Sequence, residues 1–324
     1  MTAELDREFD VVIPAHNAAA TVAQAVRSAL EQHRPPLTVT VVVDTCTDDT
    51  PRLAAAAGAH VVVSASGTPG GARNAGARVG RAGWIAFLDA DDLWRPDWLG
   101  AVAATVAGEP GVDVCFGTVE VVDADGAPIG GPEPRRPSGD LYTALLGDSF
   151  ITTSAVVVRR HAFDEVGGFD EGYLEVEDYD LWLRLAERHR FAPVYGQHVV
   201  YRRTPHSAMR APGHQRRIRD QGLAIVRAAC ARRPVAADLQ RRAESHILRS
   251  SAERLLAGGL VSAARADLRA ALELTPADVR LWAMAVFSAL SLPRRKQALR
   301  LRRALTGALA GPVALGRDGR KKSR

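Results

Sequence analysis

Short runs of β-branched residues alternate with stretches of helical periodicity through the first 115 residues, and this alternation constrains the fold most. It predicts strands at Asp10–Pro14, Thr38–Asp44, His60–Ser64 and Trp84–Asp89, with helices between them. Segments ordered in this way form a parallel sheet that is covered by helices. The sequence therefore predicts an α/β fold.

The segments between these strands carry helix start signals. Thr21 and Gln24 have the spacing of a capping box, and Thr50 followed by Pro51 predicts a capped helix with proline in its first turn. A glycine-rich turn is expected within Gly70–Gly80, leading into a short helix. Each helix is thus expected to begin shortly after the preceding strand.

Further along, the elements are spaced less regularly. Residues 126–139 are too rich in glycine and proline for regular structure and predict a mobile loop. The remaining helices are expected at Pro96–Ala107 and Asp178–His189, and the remaining strands at Val112–Val122, Ile151–Arg159 and Val194–Arg202.

The composition shifts near residue 215 to alanine, leucine and arginine with helical period. We therefore expect an α/β domain at residues 1–213, with halves at about 1–115 and 116–213. An all-helical extension is expected at 214–310, packed on the first domain, and a basic, disordered tail at 311–324.

Charge divides the chain into two unlike parts. Residues 1–180 have a net charge of −16 and residues 181–324 one of +21, which the overall value of +5 conceals. Such asymmetry usually reports charged partners rather than fold. The first lysine is Lys296, which excludes a P-loop lysine and a Schiff-base lysine from the α/β part.

Cysteine usage and hydropathy indicate the compartment. The three cysteines form no C-x-x-C pair, which argues against a disulfide framework or structural zinc and favours a reducing cytoplasm. Residues 1–10 are acidic and polar, unlike a secretory signal. The apolar stretch at 281–293 is too short for a membrane helix, so we expect a cytoplasmic protein, at most peripheral at the inner face of the membrane.

Polar residues follow three predicted strands where those strands end. Pro14–Asn17 follows the first strand, Asp44 ends the second, and Asp89, Asp91 and Asp92 follow the fourth. Ligands of open parallel sheets bind at this edge. Three carboxylates so close together repel one another, and a hard cation such as Mg²⁺ or Mn²⁺ would offset their charge. The alternative is a solvated acidic turn in which Asp92 caps a helix.

The segment containing Gly71, Arg73 and Asn74 lies between the third and fourth strands. Glycine allows close backbone approach and arginine supplies a cation, a combination suited to a diphosphate. The segment matches neither G-x-G-x-x-G nor the P-loop, so an ordinary glycine turn is the alternative.

Glu177 and Asp178 lie at the start of a predicted helix. Acidic residues in a first turn are stabilised by the helix dipole, which is a sufficient structural reason for them. The functional interpretation is a general base at a helix N-terminus, facing an acceptor hydroxyl.

The runs DVVIPAHNAAATVAQAVRSALEQ, VVVDTCTDDT, GGARNAG and WIAFLDADDLWRPDWL occur in that order. They resemble inverting family 2 glycosyltransferases of the GT-A fold, and FITTSAVVVRR, VGGFDE and EDYDLWLRLA resemble the acceptor half of the same family. The resemblance covers about residues 9–206. It implies a Rossmann-like mixed sheet whose halves bind the nucleotide sugar and the acceptor.

The resemblance also implies roles for particular residues. The base and ribose pocket would be lined by Pro14, Ala15, Asn17 and Asp44, and the diphosphate would lie near Gly71, Arg73 and Asn74. Asp89 and Asp91 would form the D-x-D pair that contacts ribose and metal, with Asp92 as a third carboxylate. Asp178 would be the base, with Glu177 as a supporting or alternative group.

Two positions depart from the family pattern. Val43 and Thr45 flank Asp44 where many relatives carry paired aspartates, which leaves fewer contacts to the base. Thr204 stands where relatives often place a histidine, and His206 follows two residues later. His206 is a candidate metal ligand, although a surface loop histidine is the favoured interpretation.

The leading hypothesis is a metal-dependent inverting glycosyltransferase that moves a sugar from a nucleotide donor, preferably a UDP-sugar, to an acceptor hydroxyl. The expected setting is cell-envelope polysaccharide, glycolipid or secondary-metabolite glycosylation. The alternatives are a nucleotidyltransferase, or a catalytically silent scaffold that binds sugar nucleotides.

The basic C-terminal region suggests a further partner. Arg294–Lys296 and Arg317–Arg324 are candidates for binding anionic lipid headgroups, which would bring the enzyme to a lipid-linked acceptor. No nucleic acid is expected, because no reader motif or series of stacking aromatic residues accompanies the basic residues.

Overall fold

Eight strands form one mixed sheet in the computed structural model, which describes residues 9–123, 125–129, 140–203 and 212–290. The spatial order is β3-β2-β1-β4-β7-β6-β8-β5. The strands are β1 Phe9–Ala15, β2 Thr38–Asp44, β3 His60–Ser64, β4 Trp84–Phe87, β5 Leu93–Trp94, β6 Val114–Val122, β7 Val156–Arg159 and β8 Phe191–Arg202.

Seven helices accompany the sheet within the described residues, and four more follow it. The first group is α1 Val22–Leu30, α2 Thr50–Ala56, α3 Pro69–Val79, α4 Trp98–Gly108, α5 Leu141–Gly147, α6 Arg160–Glu165 and α7 Glu177–Ala186. The second group is α8 Pro212–Arg232, α9 Ala237–Ala257, α10 Val261–Leu274 and α11 Val279–Ala289.

The first four strands are parallel, as their alternation with helices predicts. β1 pairs with β2 on one side and β4 on the other. Val11, Val12 and Ile13 are fully buried, because helices cover both faces of this part of the sheet. The chain moves outward from β1 to β2 and β3 and then returns to β4, so the switch in strand order lies between β1 and β4.

The sheet continues in antiparallel sense with β7. The strand predicted over Ile151–Arg159 is shorter, because its first part forms a 3₁₀ turn at Thr153–Ala155 and β7 begins at Val156. Val156 pairs with Phe87 at the end of β4. The segment that enters β7 therefore lies at the edge where the parallel strands end.

The glycine-rich segment after β3 is helical rather than a turn, which corrects the prediction over Gly70–Gly80. Thr68 is the N-cap of α3, and its hydroxyl accepts a hydrogen bond from the Gly71 amide at 2.9 Å. A Cβ at Gly71 would lie 2.5 Å from the Ser66 Cβ. Glycine is thus required here for close packing of the helix start, not for a left-handed turn.

The predicted capping box at Thr21 is wrong. Thr21 occupies the N-cap position of α1 but makes no side-chain cap; its hydroxyl instead donates to the Ala18 carbonyl at 3.4 Å. The cap predicted at Thr50 is also displaced, since Thr50 is the first residue of α2 and Asp49 precedes it. Asp48 accepts hydrogen bonds from the Thr50 amide and hydroxyl. These side chains order the loop before α2.

At the amino end of the parallel strands, Asp10 is buried with 1 % exposure. Its carboxylate accepts hydrogen bonds from Thr38, the Ala82 amide and Arg160, each at 2.7 Å. Arg160 also donates to the Ala77 and Ala82 carbonyls at 2.6 Å. Each of the three nitrogens of this guanidinium thus donates a hydrogen bond, and these bonds join α6 to the sheet.

Helices α8 and α9 pack on the α/β part, while α10 packs on α9 and α11 on α10. Ile225 and Val226 of α8 are fully buried in the same cluster as Tyr142 and Trp182. A separate cluster that includes Leu255 and other aliphatic side chains joins α9, α10 and α11. No helix of the described residues is long and apolar enough to cross a bilayer. The tail predicted at 311–324 lies outside the described residues, as does most of the loop predicted at 126–139.

Candidate active site

Three carboxylates follow β4 at the switch in strand order, and they differ in exposure. Asp91 is exposed, Asp89 is partly buried and Asp92 is 1 % exposed. Asp92 accepts hydrogen bonds from the Ser154 hydroxyl at 2.5 Å and the Arg202 amide at 3.0 Å. Both oxygens of Asp92 are therefore used by hydrogen bonds within the protein, whereas Asp91 is exposed to solvent.

Desolvation and the charge of Asp89 raise the pKa of Asp91. Burial, followed by Asp89 and Asp91, raises the pKa of Asp92 well above its ordinary value. The Tyr201 phenol lies beside the same carboxylates, and burial together with their charges raises its pKa to about 12. This edge of the sheet therefore carries an excess of negative potential that a cation would relieve.

The Asp91 carboxylate is exposed and hydrogen-bonded to its own backbone, and the charge of Arg202 partly opposes the rise in its pKa. An exposed carboxylate among like charges is chemically suited to a hard divalent cation. Among the residues that the structure describes, however, no three His, Cys, Asp or Glu side chains are arranged to hold a metal ion. The residues fit a cation that takes its other ligands from a bound phosphate group. His206, a candidate ligand, lies outside the described residues.

The ends of β1 and β2 form a second polar site beside these carboxylates. The amide oxygen of Asn17, a residue with positive φ, accepts from the Thr47 amide at 2.8 Å, and His16 Nδ1 lies 2.8 Å from the Asp44 carbonyl. One oxygen of Asp44, Oδ2, accepts from the Ser66 hydroxyl at 2.7 Å and the Gly67 amide at 2.8 Å.

The other oxygen of Asp44, Oδ1, is buried and has no hydrogen-bond partner among the described residues. Pro14 and Ala15, at the end of β1, pair in register with Val42 and Val43 of β2. The structure thus brings the sequence-predicted residues Pro14, Ala15, Asn17 and Asp44 to one edge. It leaves an unpaired acceptor there, which a ligand with a polar hydrogen would satisfy.

Arg73 projects from α3 and is 5 % exposed. Its Nη2 donates to Asp89 at 2.7 Å and its Nη1 to Glu177 at 2.6 Å, while its guanidinium carbon lies 5.4 Å from the centre of the Phe169 ring. Both terminal nitrogens are therefore used by carboxylates of the protein. Arg73 links Asp89, which follows β4, to the start of α7.

Asn74 binds the chain rather than facing open space. Its amide nitrogen donates to the Phe169 carbonyl at 2.9 Å and to Glu171 at 3.0 Å, and its oxygen accepts from the Phe169 amide at 2.9 Å. These bonds hold the loop before α7 against α3. Asn74 thereby supports the ring on which Arg73 lies.

Asp178 lies at the start of α7, one residue after Glu177. Its carboxylate accepts from the Thr153 hydroxyl at 3.0 Å and from the Tyr179 amide at 2.7 Å. Burial and the adjacent Glu177 charge raise its pKa to about 6, and the positive charge of Arg73 opposes that rise. A carboxylate with this pKa is ionised at neutral pH and is a stronger base than an ordinary aspartate.

The sequence did not single out Thr153 and Ser154, although both contact the site. Ser154 bonds Asp92 and lies 3.1 Å from the Asp89 amide, and Thr153 bonds Asp178. Their short hydroxyl side chains precede a β-branched run, which is also common in ordinary strands. Only the antiparallel pairing of β7 with β4 shows that this segment reaches the site.

Comparisons with known proteins identify relatives of this chain. Residues 10–167 match the family model described as Glycosyl transferase family 2. The succinoglycan biosynthesis protein ExoO of Rhizobium meliloti is 38 % identical over 196 residues, covering 56 % of this chain and 54 % of that protein. The amylovoran biosynthesis glycosyltransferase AmsB of Erwinia amylovora is 30 % identical over 196 residues, covering 55 % and 64 %. The chain thus spans between about half and two thirds of the length of these relatives.

Solved glycosyltransferase structures share the fold. Staphylococcus aureus TarS in complex with UDP-GlcNAc has a TM-score of 0.60 at 16 % identity, covering 86 % of this chain and 84 % of that one. The mannosyltransferase PcManGT of Pyrobaculum calidifontis, in complex with GDP-Man and Mn²⁺, has a TM-score of 0.53 at 20 % identity, covering 94 % and 86 %. The predicted GT-A fold with a helical C-terminal region is confirmed.

Proposed function

Since the chain belongs to glycosyl transferase family 2 through residues 10–167, we propose that it transfers a sugar, with inversion, from a nucleoside-diphosphate donor to a hydroxyl. One observation carries the proposal: Asp178, a carboxylate with a pKa of about 6, is joined through Glu177 and Arg73 to the acidic donor edge at Asp89. A base and a cation-binding edge in one site are the groups that glycosyl transfer from a diphosphate requires.

In the proposed reaction, Asp178 accepts the proton of the acceptor hydroxyl. The hydroxyl oxygen forms a bond to the anomeric carbon from one side while the bond to the diphosphate oxygen breaks on the other, so the configuration inverts. Thr153 holds one oxygen of Asp178 and the Tyr179 amide holds the other, which fixes the direction of the carboxylate. The helix start of α7 favours the ionised form.

A divalent cation, Mg²⁺ or Mn²⁺, would be held by Asp91, with Asp89 beside it and Asp92 more remote. When bound, it would offset negative charge on the departing nucleoside diphosphate. The exposed carboxylate of Asp91, close to the like charge of Asp89, supports this assignment. The Mn²⁺ complex of PcManGT, which has the same fold, is consistent with it.

We assign the nucleoside to the edge formed by Pro14, Ala15, Asn17 and Asp44. The unpaired Oδ1 of Asp44 would accept a hydrogen from the base or ribose of the donor. A UDP-sugar is the favoured donor, and the UDP-GlcNAc complex of TarS supports that choice. GDP-mannose is the competing donor, because PcManGT binds it with a similar fold.

The test is transfer and hydrolysis with a panel of UDP-, GDP- and dTDP-sugars in the presence of Mn²⁺, read by mass spectrometry. We expect one nucleotide to bind and Asp91→Ala to lose most turnover. A matched control is Asp97→Ala, since Asp97 is an exposed carboxylate six residues along the chain that pairs with His198. Full turnover in Asp91→Ala would contradict the metal assignment. Binding of no sugar nucleotide would contradict the function itself.

The two alternatives give different results in the same assay. A nucleotidyltransferase would join a nucleoside triphosphate to a sugar phosphate and release pyrophosphate. The proposed enzyme does not release pyrophosphate. A silent scaffold would bind a sugar nucleotide without hydrolysing or transferring it. Retention of Asp89, Asp91 and Asp178 in one site favours turnover over a silent scaffold.

We propose that the acceptor belongs to a cell-envelope or exported polysaccharide or a lipid-linked saccharide, at the cytoplasmic face of an anionic membrane. The names of ExoO and AmsB, biosynthesis proteins for succinoglycan and amylovoran, support a polysaccharide setting. Residues 291–324, outside the described residues, contain eleven basic residues and one acidic residue. Basic segments of this kind bind anionic headgroups.

The helix before this segment supports membrane contact. Val279, Trp282 and Val286 share one face of α11 and are 76 %, 54 % and 63 % exposed. Co-flotation with phosphatidylglycerol vesicles at low salt tests the idea. We expect binding that weakens in Trp282→Ser, whereas Leu260→Ser, a substitution of a 37 % exposed apolar residue before α10, serves as control. Equal flotation with neutral and anionic vesicles would exclude the basic segment as the cause.

A further inference from the structure

Arg73 has a role that its sequence position does not reveal. It lies on α3, in a segment that sequence reasoning assigned to the diphosphate, yet its two terminal nitrogens bond Asp89 and Glu177. Glu177 is 104 residues away in sequence and is 6 % exposed. A buried ion pair of this kind depends on both partners, because either one alone would leave an uncompensated charge in the interior.

The packing around the pair leaves little freedom. Phe169 lies against the guanidinium, and Asn74 fixes the backbone of Phe169 through two hydrogen bonds. A Cβ at Gly70 would lie 3.2 Å from the Glu177 Cγ and 3.1 Å from the Phe169 Cβ. The starts of α3 and α7 therefore meet closely at this point, with Arg73 between them.

We propose that Arg73 and Glu177 are positioning residues: their ion pair holds the start of α7 against α3 and presents Asp178 to the acceptor hydroxyl as an ionised base. This inference rests on the proposed function. In it, Glu177 is the counter-charge of Arg73 rather than an alternative base, since its Oε1 is bonded to Arg73. Arg73 acts on the reaction through Asp89 and Asp178 and does not itself bind the diphosphate.

The charges that act on Asp178 have opposite effects. Glu177, on the same helix, raises the pKa of Asp178, whereas Arg73, from α3, lowers it; the remaining contacts, the Thr153 hydroxyl and the Tyr179 amide, also lower it. Removing Arg73 should therefore raise the pKa of Asp178, and removing Glu177 should lower it. If the ion pair were only structural, both variants would lose activity, but the acid limb of the pH profile would not move in opposite directions.

The experiment compares Arg73→Met, Glu177→Gln and the double variant in a profile of kcat against pH. We expect the acid limb to move up by about one pH unit in Arg73→Met and down by a similar amount in Glu177→Gln, as is typical for a close charge. The double variant should return toward the wild-type position. Arg73→Lys keeps the charge and should keep the limb near its original position.

Donor binding separates the two residues further. Glu177→Gln leaves the bond between Arg73 and Asp89 intact, so the donor KM should change little while the limb moves. Arg73→Met removes the partner of Asp89, so the donor KM should rise as well. Arg78→Met is the matched control, because Arg78 is on the same helix, 71 % exposed, and only 3.7 Å from Glu171. It should leave both quantities unchanged.

A second readout does not require turnover. Carbon-13 NMR of labelled aspartate carboxyls, with the Asp178 signal assigned by its loss in Asp178→Asn, follows the titration directly. Opposite displacements in the two single variants would support the proposal even if the acceptor remains unidentified, and absence of transfer would count against the proposed function alone. Displacements of the same sign, or no displacement, would overturn the positioning role proposed for Arg73 and Glu177. If Arg73→Met does not fold, Glu177→Gln still provides the decisive downward displacement.

Discussion

An arginine–carboxylate pair lies at each end of the parallel strands, and the two ends differ in how completely their polar atoms are hydrogen-bonded. At the amino end, Asp10 accepts three hydrogen bonds, one of them from Arg160. At the carboxyl end, Arg73 is paired with Asp89, but Asp44, a separate carboxylate at the end of β2, leaves its buried Oδ1 without a partner within the described residues. The amino end stabilises the fold, and the carboxyl end retains an acceptor for a ligand.

The difference follows from which donors reach each carboxylate. At the amino end, the Ala82 amide and the Ala77 and Ala82 carbonyls lie close enough to complete the pair. At the carboxyl end, the Gly67 amide reaches one oxygen of Asp44, but no donor of the described residues reaches the other. Unpaired polar atoms at such an edge are costly unless a ligand satisfies them, which is typical of binding sites.

The largest expected effect is at Asp178. Asp178→Asn removes the base but keeps a similar shape and the contact with Thr153, so kcat should fall by about 10² to 10⁴-fold. Binding of the sugar nucleotide, measured by calorimetry, should persist. Asp180→Asn, two residues along α7, tests whether any loss of negative charge on this helix has the same effect, since Asp180 bonds Arg184 instead.

If Asp180→Asn lowered kcat as much as Asp178→Asn, the assignment of the base would be wrong. If Asp178→Asn kept full activity while Glu177→Gln lost it, Glu177 would be the base. Either result would also remove the functional contrast between the two ends of the sheet.

The amino end should respond in stability. Asp10→Asn leaves the Arg160 guanidinium without a counter-charge in the interior, which should cost about 3–5 kcal/mol of unfolding free energy. Denaturant unfolding at pH 7 measures it. The catalytic rate of the folded fraction should be preserved, because Asp10 lies at the opposite edge from Asp89. A selective loss of kcat, with unchanged stability, would contradict the comparison.

Two glycines provide a smaller test of the same contrast. A Cβ at Gly80 would lie 2.1 Å from Asp10 Oδ2, and one at Gly71 would lie 2.5 Å from the Ser66 Cβ. Gly80→Ala should lower the unfolding free energy by about 1–3 kcal/mol with little change in KM. Gly71→Ala should raise the donor KM, because Ser66 holds Asp44.

Gly100→Ala in α4 is the control, since nothing lies within 4 Å of its added Cβ. Alanine there should stabilise the helix by about 0.5–1 kcal/mol. Equal KM changes in Gly71→Ala and Gly80→Ala would show that the two ends are not functionally distinct.

Sequence reasoning located the parallel strands because buried β-branched runs and helix signals are local patterns. For the same reason it singled out Asp44, at the end of β2, and Asp89 and Asp91, after β4, as candidate site residues. It did not find Ser154, because β7 reaches the site only by antiparallel pairing with β4, and nothing within that segment records its partner.

The ion pair of Arg73 with Glu177 could not be predicted from the sequence for a related reason. An arginine after two glycines is compatible with a diphosphate, and the local pattern contains no sign of Glu177, 104 residues away. Similarly, the glycines before Arg73 are equally consistent with a turn or with close helix packing. The structure shows the latter, because the Thr68 hydroxyl caps α3 directly. Contacts between distant segments depend on topology, which single-sequence patterns do not determine.

The smallest predicted effect is the pH dependence of stability at Asp178. Its pKa in the folded protein is raised from 3.8 to about 6, so the protonated form is favoured by folding. Its contribution to stability is full below about pH 4 and is lost as pH rises through about 6. Asp178→Asn, which cannot ionise, should therefore melt at a higher temperature than wild type at pH 8. The difference should shrink toward zero at pH 4, as differential scanning calorimetry would measure.

Asp10→Asn should instead melt below wild type at pH 8, since the Asp10 carboxylate is paired with Arg160. A higher melting temperature for Asp10→Asn would mean that the amino end, too, stores an unfavourable charge, and the contrast between the two ends would fail.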